Sequence, residues 1–292
     1  MTAPIRVTLP TPDGELAVWS WGAAPAPCIV LVHGWADCGA SFDAVARELA
    51  ADYRVLAPDL RGYGDSSWVA NGYWFPDYLR DLEAVFESAL VHGPVTLVGH
   101  SMGGNVCGLY AGIRPERVAS LVLLEGFGLP ESRPADAPKR YAQWLDQQRE
   151  PPGFRDFADA AALLAHLRKL APRAAPAVLE QVARCWARPV DGGGWRLKMD
   201  PRHKRYNPVL YRREEAAACW RATRAPVLLV AGADSDFRAR FRGLDPLADA
   251  AGHYREARIE TLADAGHMMH WERPAAVASL VREAAARGAA EA

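Results

Sequence analysis

The sequence predicts an α/β protein in which helices cover both faces of a doubly wound, mostly parallel sheet that carries an inserted helical cap. Three observations lead to this fold class. Apolar runs such as 28–32 and 95–98 lack polar alternation, which is typical of strands buried on both faces. Helical periodicity separates these runs, for example over 77–90. This strand–helix alternation stops after residue 126 and resumes near residue 225.

The interruption divides the chain into two predicted domains. Residues 1–126 and 225–292 form the α/β core, and residues 127–224 form the helical cap. An insert of roughly 100 residues is too long for an ordinary connection, because most loops within a domain have only a few residues. We therefore expect the cap to have a structure of its own.

Local patterns predict the elements of the core in chain order. Two alternating stretches, 6–9 and 15–21, flank Pro12-Asp13-Gly14 and indicate an antiparallel hairpin. Ser41 is a suitable N-cap for the first helix, which runs through Leu49. The other predicted elements are strands at 28–32, 53–57, 95–98, 118–124, 226–231 and 254–262, and helices at 77–90, 104–111, 237–250 and 274–287.

The stretch Pro94–Gly104 carries the strongest functional signal. Its strand ends in Gly99-His100-Ser101-Met102-Gly103 and a helix follows, which is the arrangement of a nucleophile elbow. To pass from strand to helix within about one residue, Ser101 must adopt a strained backbone conformation, and side chains at 99 or 103 would collide with their neighbours. The bend holds Oγ at a helix N-terminus, whose N–H groups favour developing negative charge. We predict that Ser101 is a catalytic nucleophile rather than a serine in a tight turn.

A serine nucleophile needs a base. His267 is the predicted base, because it lies on a loop after the last strand and follows Ser101 in the expected chain order. The rival histidines are His92, His100 and His270, and His270 heads into the following helix.

The oxyanion of an acyl-transfer intermediate needs two main-chain donors. One is expected just after the nucleophile, at Met102, and the other on the loop after the third strand. His33-Gly34-Trp35 occupies that loop, and Gly34 allows the bend that points the Trp35 N–H inward. The alternative is a plain strand-terminating turn.

The carboxylate that orients the base has three candidates. Asp234 and Asp236 follow the strand after the cap, where the acid is often found, but a serine stands in the expected register between them. Glu125 closes the apolar run 121–124, where a buried charge is costly without a partner. The residues alone favour Glu125 and leave Asp234 and Asp236 open.

Several motifs together resemble the α/β-hydrolase superfamily: HGW (33–35), PDLRGYGDS (58–66), GHSMGG (99–104) and the segment 266–274. With LVLLEGFG (121–128) and WRLKMDPRHKRYNP (195–208), the chain resembles the serine-hydrolase-like branch. The resemblance implies the fold, a Ser-His-acid triad and no cofactor. It favours Glu125, because in related members the acid follows this earlier strand. Asp234 and Asp236 depart from that pattern, since the branch often lacks a carboxylate there.

The expected function is hydrolysis of a small, fairly apolar carboxylic ester through an acyl-enzyme. A tryptophan-rich cap suggests an apolar group on the substrate (Trp144, Trp186, Trp195 and Trp220). One alternative is a carbon–carbon bond hydrolase of a ring-cleavage product, which needs a substrate-carboxylate site such as the basic run Arg202–Arg205. That run is otherwise a solvated face or a partner of Glu214-Glu215. The other alternative is a non-catalytic small-ligand receptor.

Composition excludes several classes of partner. The 34 basic and 35 acidic residues nearly balance, which argues against nucleic acid or a membrane surface. The sequence starts without an apolar leader and contains no stretch long enough to span a membrane. The five cysteines are scattered without metal-ligand spacing, so we expect reduced thiols, no metal and a cytoplasmic protein. The expected partner is a small-molecule substrate, and the oligomeric state is left open.

Overall fold

The structure, a computed structural model, describes residues 3–70 and 72–291. The predicted domain limits at residues 1 and 292 lie outside these ranges. Within them, eight strands form one sheet in the order β1-β2-β4-β3-β5-β6-β9-β10. The strands are β1 (Ile5–Thr11), β2 (Gly14–Trp21), β3 (Cys28–Val32), β4 (Arg54–Pro58), β5 (Val95–His100), β6 (Val118–Leu124), β9 (Val227–Gly232) and β10 (Ala257–Leu262). The first two strands pair antiparallel as a hairpin and join β4 antiparallel, whereas all other pairs are parallel.

Helices connect the parallel strands, which confirms the predicted fold class. The short strands β7 (Ala187–Pro189) and β8 (Trp195–Leu197) form a separate two-stranded sheet. The helices are α1 (Asp43–Leu49), α2 (Phe75–Glu87), α3 (Met102–Ile113), α4 (Ala137–Arg149), α5 (Ala160–Leu170), α6 (Pro176–Trp186), α7 (Arg213–Ala222), α8 (Pro246–His253), α9 (Met269–Glu272) and α10 (Pro274–Glu291).

Two apolar cores lie on opposite faces of the sheet. One contains Leu97, Val106 and Trp220 and is covered by α2, α3, α7 and α8, while the other contains Val98 and Val281 and is covered by α1 and α10. Every residue of β5 is buried, because its alternate side chains enter the two cores. This explains why the central strands are continuous apolar runs in the sequence.

The register of the parallel strands places their carboxyl ends at one edge of the sheet. Val32 pairs with Gly99, His100 with Leu124, and Leu124 with Val230. The residues that follow β3, β5, β6 and β9 therefore meet at this edge, where ligands bind in open α/β sheets.

The predicted cap contains α4 to α7 and the small sheet. Helices α5 and α6 pack together around Leu167 and Val182 and against Trp271 of the core. Helix α7 packs against α3, the helix that follows the elbow. Helix α4 differs from the others, since none of its residues is buried. The boundary of the cap remains a prediction, because α7 is an integral part of the packing of the core.

The structure corrects two predicted elements near the end of the chain. The helix predicted over 237–250 is a 3₁₀ turn at Phe237–Arg240 followed by α8. The break has a local cause: the Asp245 side chain accepts from Leu247 N at 3.0 Å and caps a new helix that starts with Pro246. The strand predicted over 254–262 begins only at residue 257. Residue 254 does not join the sheet, because its tyrosine side chain packs beside Trp220.

Among the described residues, no helix combines the length and the apolar character needed to cross a bilayer.

Candidate active site

Ser101 lies in the sharp bend that the sequence predicts. It separates β5 from α3 and has φ 52° and ψ −116°, outside the ordinary regions for a residue with a side chain. The neighbouring glycines permit the bend, since a Cβ at Gly99 would lie 2.5 Å from Gly103 O and one at Gly103 would lie 2.3 Å from Val32 O. A side chain at residue 99 or 103 would therefore collide with the backbone, as the sequence predicts.

His267 lies between Ser101 and Glu125. Its Nε2 is 3.0 Å from Ser101 Oγ, and its Nδ1 is 2.6 Å from Glu125 Oε2. The distances fit a chain in which Ser101 O–H donates to Nε2 and Nδ1–H donates to the carboxylate. The side chain of His267 is 29% exposed, so this imidazole can meet a molecule from solvent, whereas Glu125 is fully buried.

Two further donors hold the Glu125 carboxylate. Gly232 N donates to Oε1 at 3.0 Å, and Ser235 Oγ donates to Oε2 at 2.6 Å. With His267 Nδ1–H, three donors satisfy a carboxylate that would otherwise be costly to bury. Glu125 itself has φ 52°, a second strained residue at the end of a central strand.

The other two carboxylate candidates lie elsewhere. Asp234 is 44% exposed at its side chain and forms an ion pair with Arg173 at 2.8 Å. Asp236 is exposed and directly precedes the 3₁₀ turn. Neither contacts His267 in the described structure, because the chain directs Ser235, the residue between them, towards Glu125.

The loop predicted to supply an oxyanion donor lies against the nucleophile. A Cβ at Gly34 would be 3.2 Å from Ser101 Cβ and 2.9 Å from His100 Nδ1, so only glycine allows this approach. Among the described residues, the backbone N–H groups of Trp35 and Met102 donate to no protein acceptor. Both are therefore free to bind an oxygen beside Ser101.

Aromatic side chains lie next to Ser101 and His267. Phe237 stacks on the His267 imidazole at 5.2 Å with an interplanar angle of 12°. On the other side, Tyr63 O–H contacts Met102 Sδ at 3.7 Å, and Trp35 is 49% exposed. Tyr63 and Phe237 are buried, so Trp35 is the one of these rings that offers an exposed apolar surface, on the loop beside Ser101.

The rival histidines have other contacts. His100 Nε2–H donates to the His267 carbonyl at 2.8 Å, and burial lowers the pKa of His100 well below its usual value. His270 Nε2 lies 3.1 Å from Asp37 Oδ2 and is fully buried, whereas His92 is exposed on a surface loop. None of these imidazoles contacts Ser101 Oγ in the part of the chain that the structure describes.

The basic run in the predicted cap is engaged within the protein. Arg202 forms an ion pair with Asp200 at 2.7 Å, and Lys204 Nζ donates to the Gly153 carbonyl at 2.7 Å. The His203 ring stacks between Tyr63 and Tyr73, with centroid separations of 3.9 and 3.6 Å. The run therefore fastens the predicted cap to the core, with intramolecular partners other than the expected Glu214-Glu215.

Sequence reasoning assigned no role to two residues of this site, Ser235 and Phe237. The signal for Ser235 was visible, because it stands where the sequence pattern placed a carboxylate. Phe237 has no motif of its own, and only the fold brings its ring against His267.

A serine at a strand–helix elbow, beside an imidazole held by a buried carboxylate, is the arrangement of serine-hydrolase-like α/β proteins. The chain belongs to the α/β-hydrolase family: the sequence profile described as "alpha/beta hydrolase fold" matches residues 27–274. This confirms the predicted superfamily.

Individual relatives extend this result. The chain is 31% identical over 277 residues to the 3-hydroxybutyrate-oligomer hydrolase of Cupriavidus necator, covering 90% of each protein. It is 40% identical over 122 residues to a serine hydrolase-like protein of Danio rerio, a match that spans 41% of this chain and only 37% of that protein. Among solved structures, a thioesterase domain from the curacin biosynthetic pathway is similar, with a TM-score of 0.84, 27% identity and coverage of 96% and 100% of the two chains.

Proposed function

We propose that this protein is a serine hydrolase that cleaves a small, fairly apolar carboxylic ester or related acyl compound. The observation that carries the proposal is the contact chain from Ser101 Oγ through His267 to Glu125, with separations of 3.0 and 2.6 Å. Ser101 is the proposed nucleophile, His267 the general base and Glu125 the acid that orients it.

The first half of the reaction forms an acyl-enzyme. Ser101 Oγ attacks the ester carbonyl carbon while its proton passes to His267 Nε2. Glu125 stabilises the resulting imidazolium through Nδ1–H. The Trp35 and Met102 N–H groups donate to the tetrahedral oxyanion, a contribution worth about 3 kcal/mol per donor in comparable sites. The ester C–O bond then breaks, and His267 protonates the departing alcohol.

Water completes the cycle. His267 takes a proton from a water molecule, which attacks the acyl carbon. The second oxyanion accepts hydrogen bonds from the same two N–H groups. Ser101 regains its proton when the carboxylic acid leaves. No atom of this scheme comes from outside the substrate, water and the named residues.

The substrate class rests on the surroundings of the site and on the relatives. The exposed Trp35 ring on the loop beside Ser101 and the Phe237 ring stacked on His267 favour an apolar acyl or alcohol group near Ser101. By their names, these relatives act on an oligomer of a hydroxy acid and on a thioester. Both substrates contain an acyl carbonyl carbon that a serine hydroxyl can attack. The carbon–carbon bond hydrolase needs a substrate-carboxylate site in the cap, and the partners of Arg202 and Lys204 disfavour their use for that purpose.

The test measures turnover and covalent labelling together. The protein is expected to hydrolyse p-nitrophenyl acetate and to take up one fluorophosphonate label, and Ser101→Ala should lose both. Ser279→Ala, which alters an exposed serine of α10, is the matched control and should retain both. Labelling of Ser101 without turnover would favour the receptor hypothesis, and labelling elsewhere would reject the proposed nucleophile.

A comparison of substrates then refines the class. Short 3-hydroxybutyrate oligomers, simple alkyl esters and an acyl thioester should be compared by kcat/KM with the same preparation. A preference for the oligomers would extend the activity named for the Cupriavidus relative to this chain.

A further inference from the structure

The Ser235 hydroxyl lies next to the carboxylate of the proposed triad. Its Oγ is 2.6 Å from Glu125 Oε2, and Phe237 N lies 3.2 Å from the same Oγ. Ser235 follows β9 in a turn that its own N–H closes by donating to the Gly232 carbonyl at 3.2 Å. The proposed reaction scheme gives this hydroxyl no role.

The direction of the Ser235 O–H bond follows from its two neighbours. The Phe237 N–H group can only donate, so Ser235 Oγ accepts there and turns its own proton towards Glu125. An ionised carboxylate can only accept. Ser235 therefore donates to Oε2, the oxygen that is also 2.6 Å from His267 Nδ1.

The two oxygens of Glu125 are used unequally. Oε1 accepts one hydrogen bond, from Gly232 N at 3.0 Å, whereas Oε2 accepts from both Ser235 and His267. A hydrogen bond to the ionised form of a carboxyl group favours that form. Because two donors share the negative charge of Oε2, the Ser235 hydroxyl weakens the attraction between Glu125 and a protonated His267.

We propose that Ser235 is a positioning residue of the triad, whose hydroxyl sets the pH above which His267 acts as the base. The proposal rests on the proposed function, because it takes His267 as the general base of that reaction. His267 must be neutral to accept the Ser101 proton, so activity rises as the pH passes the point at which the imidazolium loses its proton. A donor that weakens the hold of Glu125 on the imidazolium moves this point to lower pH.

Other titratable and charged groups also face His267. The His100 ring lies 4.8 Å from the His267 ring, and burial lowers the pKa of His100 well below its usual value. Phe237 stacks on the imidazole, and the Arg240 guanidinium lies over the Phe237 ring at 5.2 Å. Ser235→Ala leaves the charges of Glu125, His100 and Arg240 in place, so a displaced pH profile reports the hydroxyl.

The first test is the pH profile of kcat/KM for an ester substrate. Ser235→Ala should raise the midpoint of the profile by about half a pH unit and change the plateau at high pH less than about threefold. Ser235→Thr retains the hydroxyl and should return the midpoint to that of the unmodified protein. Ser279→Ala, at an exposed serine, is the control and should leave the profile unchanged. A lower plateau with an unmoved midpoint would show that Ser235 only supports the turn, and would reject the proposal.

Proton NMR of the Ser101→Ala protein separates this proposal from the proposed function, because it needs no turnover. The resonance of the His267 Nδ1 proton, identified by its loss when His267→Gln is added, should move downfield when Ser235→Ala is added. The reason is that Oε2 then accepts a stronger hydrogen bond from Nδ1–H. A downfield move in a protein whose turnover does not need Ser101 would support the role of Ser235 towards Glu125 and reject the proposed nucleophile. An unmoved resonance, or one that moves upfield, would overturn the proposal even if Ser101 proves to be the nucleophile.

Discussion

The histidines of two imidazole–carboxylate pairs are three residues apart, His267 on the loop before α9 and His270 within α9, and they have different surroundings. His267 Nδ1 is 2.6 Å from Glu125, and His270 Nε2 is 3.1 Å from Asp37. Both carboxylates are buried. The His267 side chain is partly exposed, whereas the ring of His270 is fully buried and lies 4.7 Å from the ring of Phe42.

A histidine held by a buried carboxylate is therefore not by itself a catalytic pair. What distinguishes His267 is a hydroxyl 3.0 Å from its second nitrogen and a side chain that is 29% exposed. His270 has neither of these, and its second nitrogen has no hydrogen-bond partner within the described residues.

The largest effect is expected from removing the charge of the Glu125 carboxylate. Glu125→Gln should lower kcat for an ester substrate about 10⁴-fold, because an amide cannot stabilise the His267 imidazolium. Asp234→Asn is the matched control and should change kcat less than about threefold, since Asp234 pairs with Arg173 at the surface. The opposite order in steady-state kinetics would transfer the acid role to Asp234.

A second prediction moves the acid to a neighbouring strand end. Ser235 Oγ lies 2.6 Å from the Glu125 oxygen that His267 contacts, so an aspartate at 235 reaches nearly the same place. Glu125→Ala combined with Ser235→Asp should regain kcat about tenfold or more over Glu125→Ala alone. Glu125→Ala with Ser235→Asn has the same shape without the charge and should show no recovery. Equal rates for the two double variants would refute a role for charge at this position.

For the other pair, the expected loss is in stability. Asp37→Asn removes the charged partner of His270, which should lower the free energy of unfolding by about 1–3 kcal/mol because the partner is buried. Urea unfolding followed by circular dichroism measures this value. A loss of kcat approaching that of Glu125→Gln, in protein that remains folded, would mean that both pairs serve catalysis.

A third histidine, His203, has no carboxylate at either ring nitrogen in the described structure and should make the stability of the protein depend on pH. His203 Nδ1 contacts Tyr78 O–H at 3.0 Å, and burial lowers the pKa of His203 to about 3. The unfolded chain, with an ordinary histidine pKa, binds its proton first as the pH falls. Stability from neutral His203 is therefore present above about pH 6.5 and is lost between about pH 6.5 and 3.

His203→Phe retains an aromatic ring between the tyrosines and removes this titration. The free energy of unfolding should then depend less on pH, by at most about 1.4 kcal/mol per pH unit in that range. Burial also lowers the pKa values of His33 and His100, so some dependence should persist. His92→Ala serves as the exposed control. An unchanged slope in His203→Phe would contradict a neutral His203.

The sequence was sufficient to predict the elements that depend on local chemistry. Burial on both faces makes most residues of β5 and β6 apolar, and the steric limits at Gly99 and Gly103 make the elbow recognisable. Chain order then led to His267. Each of these features can be read from neighbouring residues and the periods of regular structure.

The choice among the carboxylates needed the structure, because it depends on the direction of one turn. Asp234, Ser235 and Asp236 are adjacent in sequence, and only the backbone after β9 decides that the serine faces Glu125. The partners of Arg202 and His203 were equally hidden, since Asp200, Tyr63 and Tyr73 come together through the docking of distant segments. Contacts between distant segments leave no period or spacing in the sequence.

The lack of buried residues in α4 has a consequence for how the native chain opens. Arg140 donates a hydrogen bond to the Asn207 carbonyl, and the Gln147 side-chain oxygen accepts one from Tyr206 N, so both bonds join α4 to a neighbouring, largely exposed segment. With so little apolar burial, α4 unfolds locally at a small free-energy cost while the sheet remains intact. Amide hydrogens of α4 should exchange early, and trypsin should first cut the native protein at Lys139, Arg140 or Arg149.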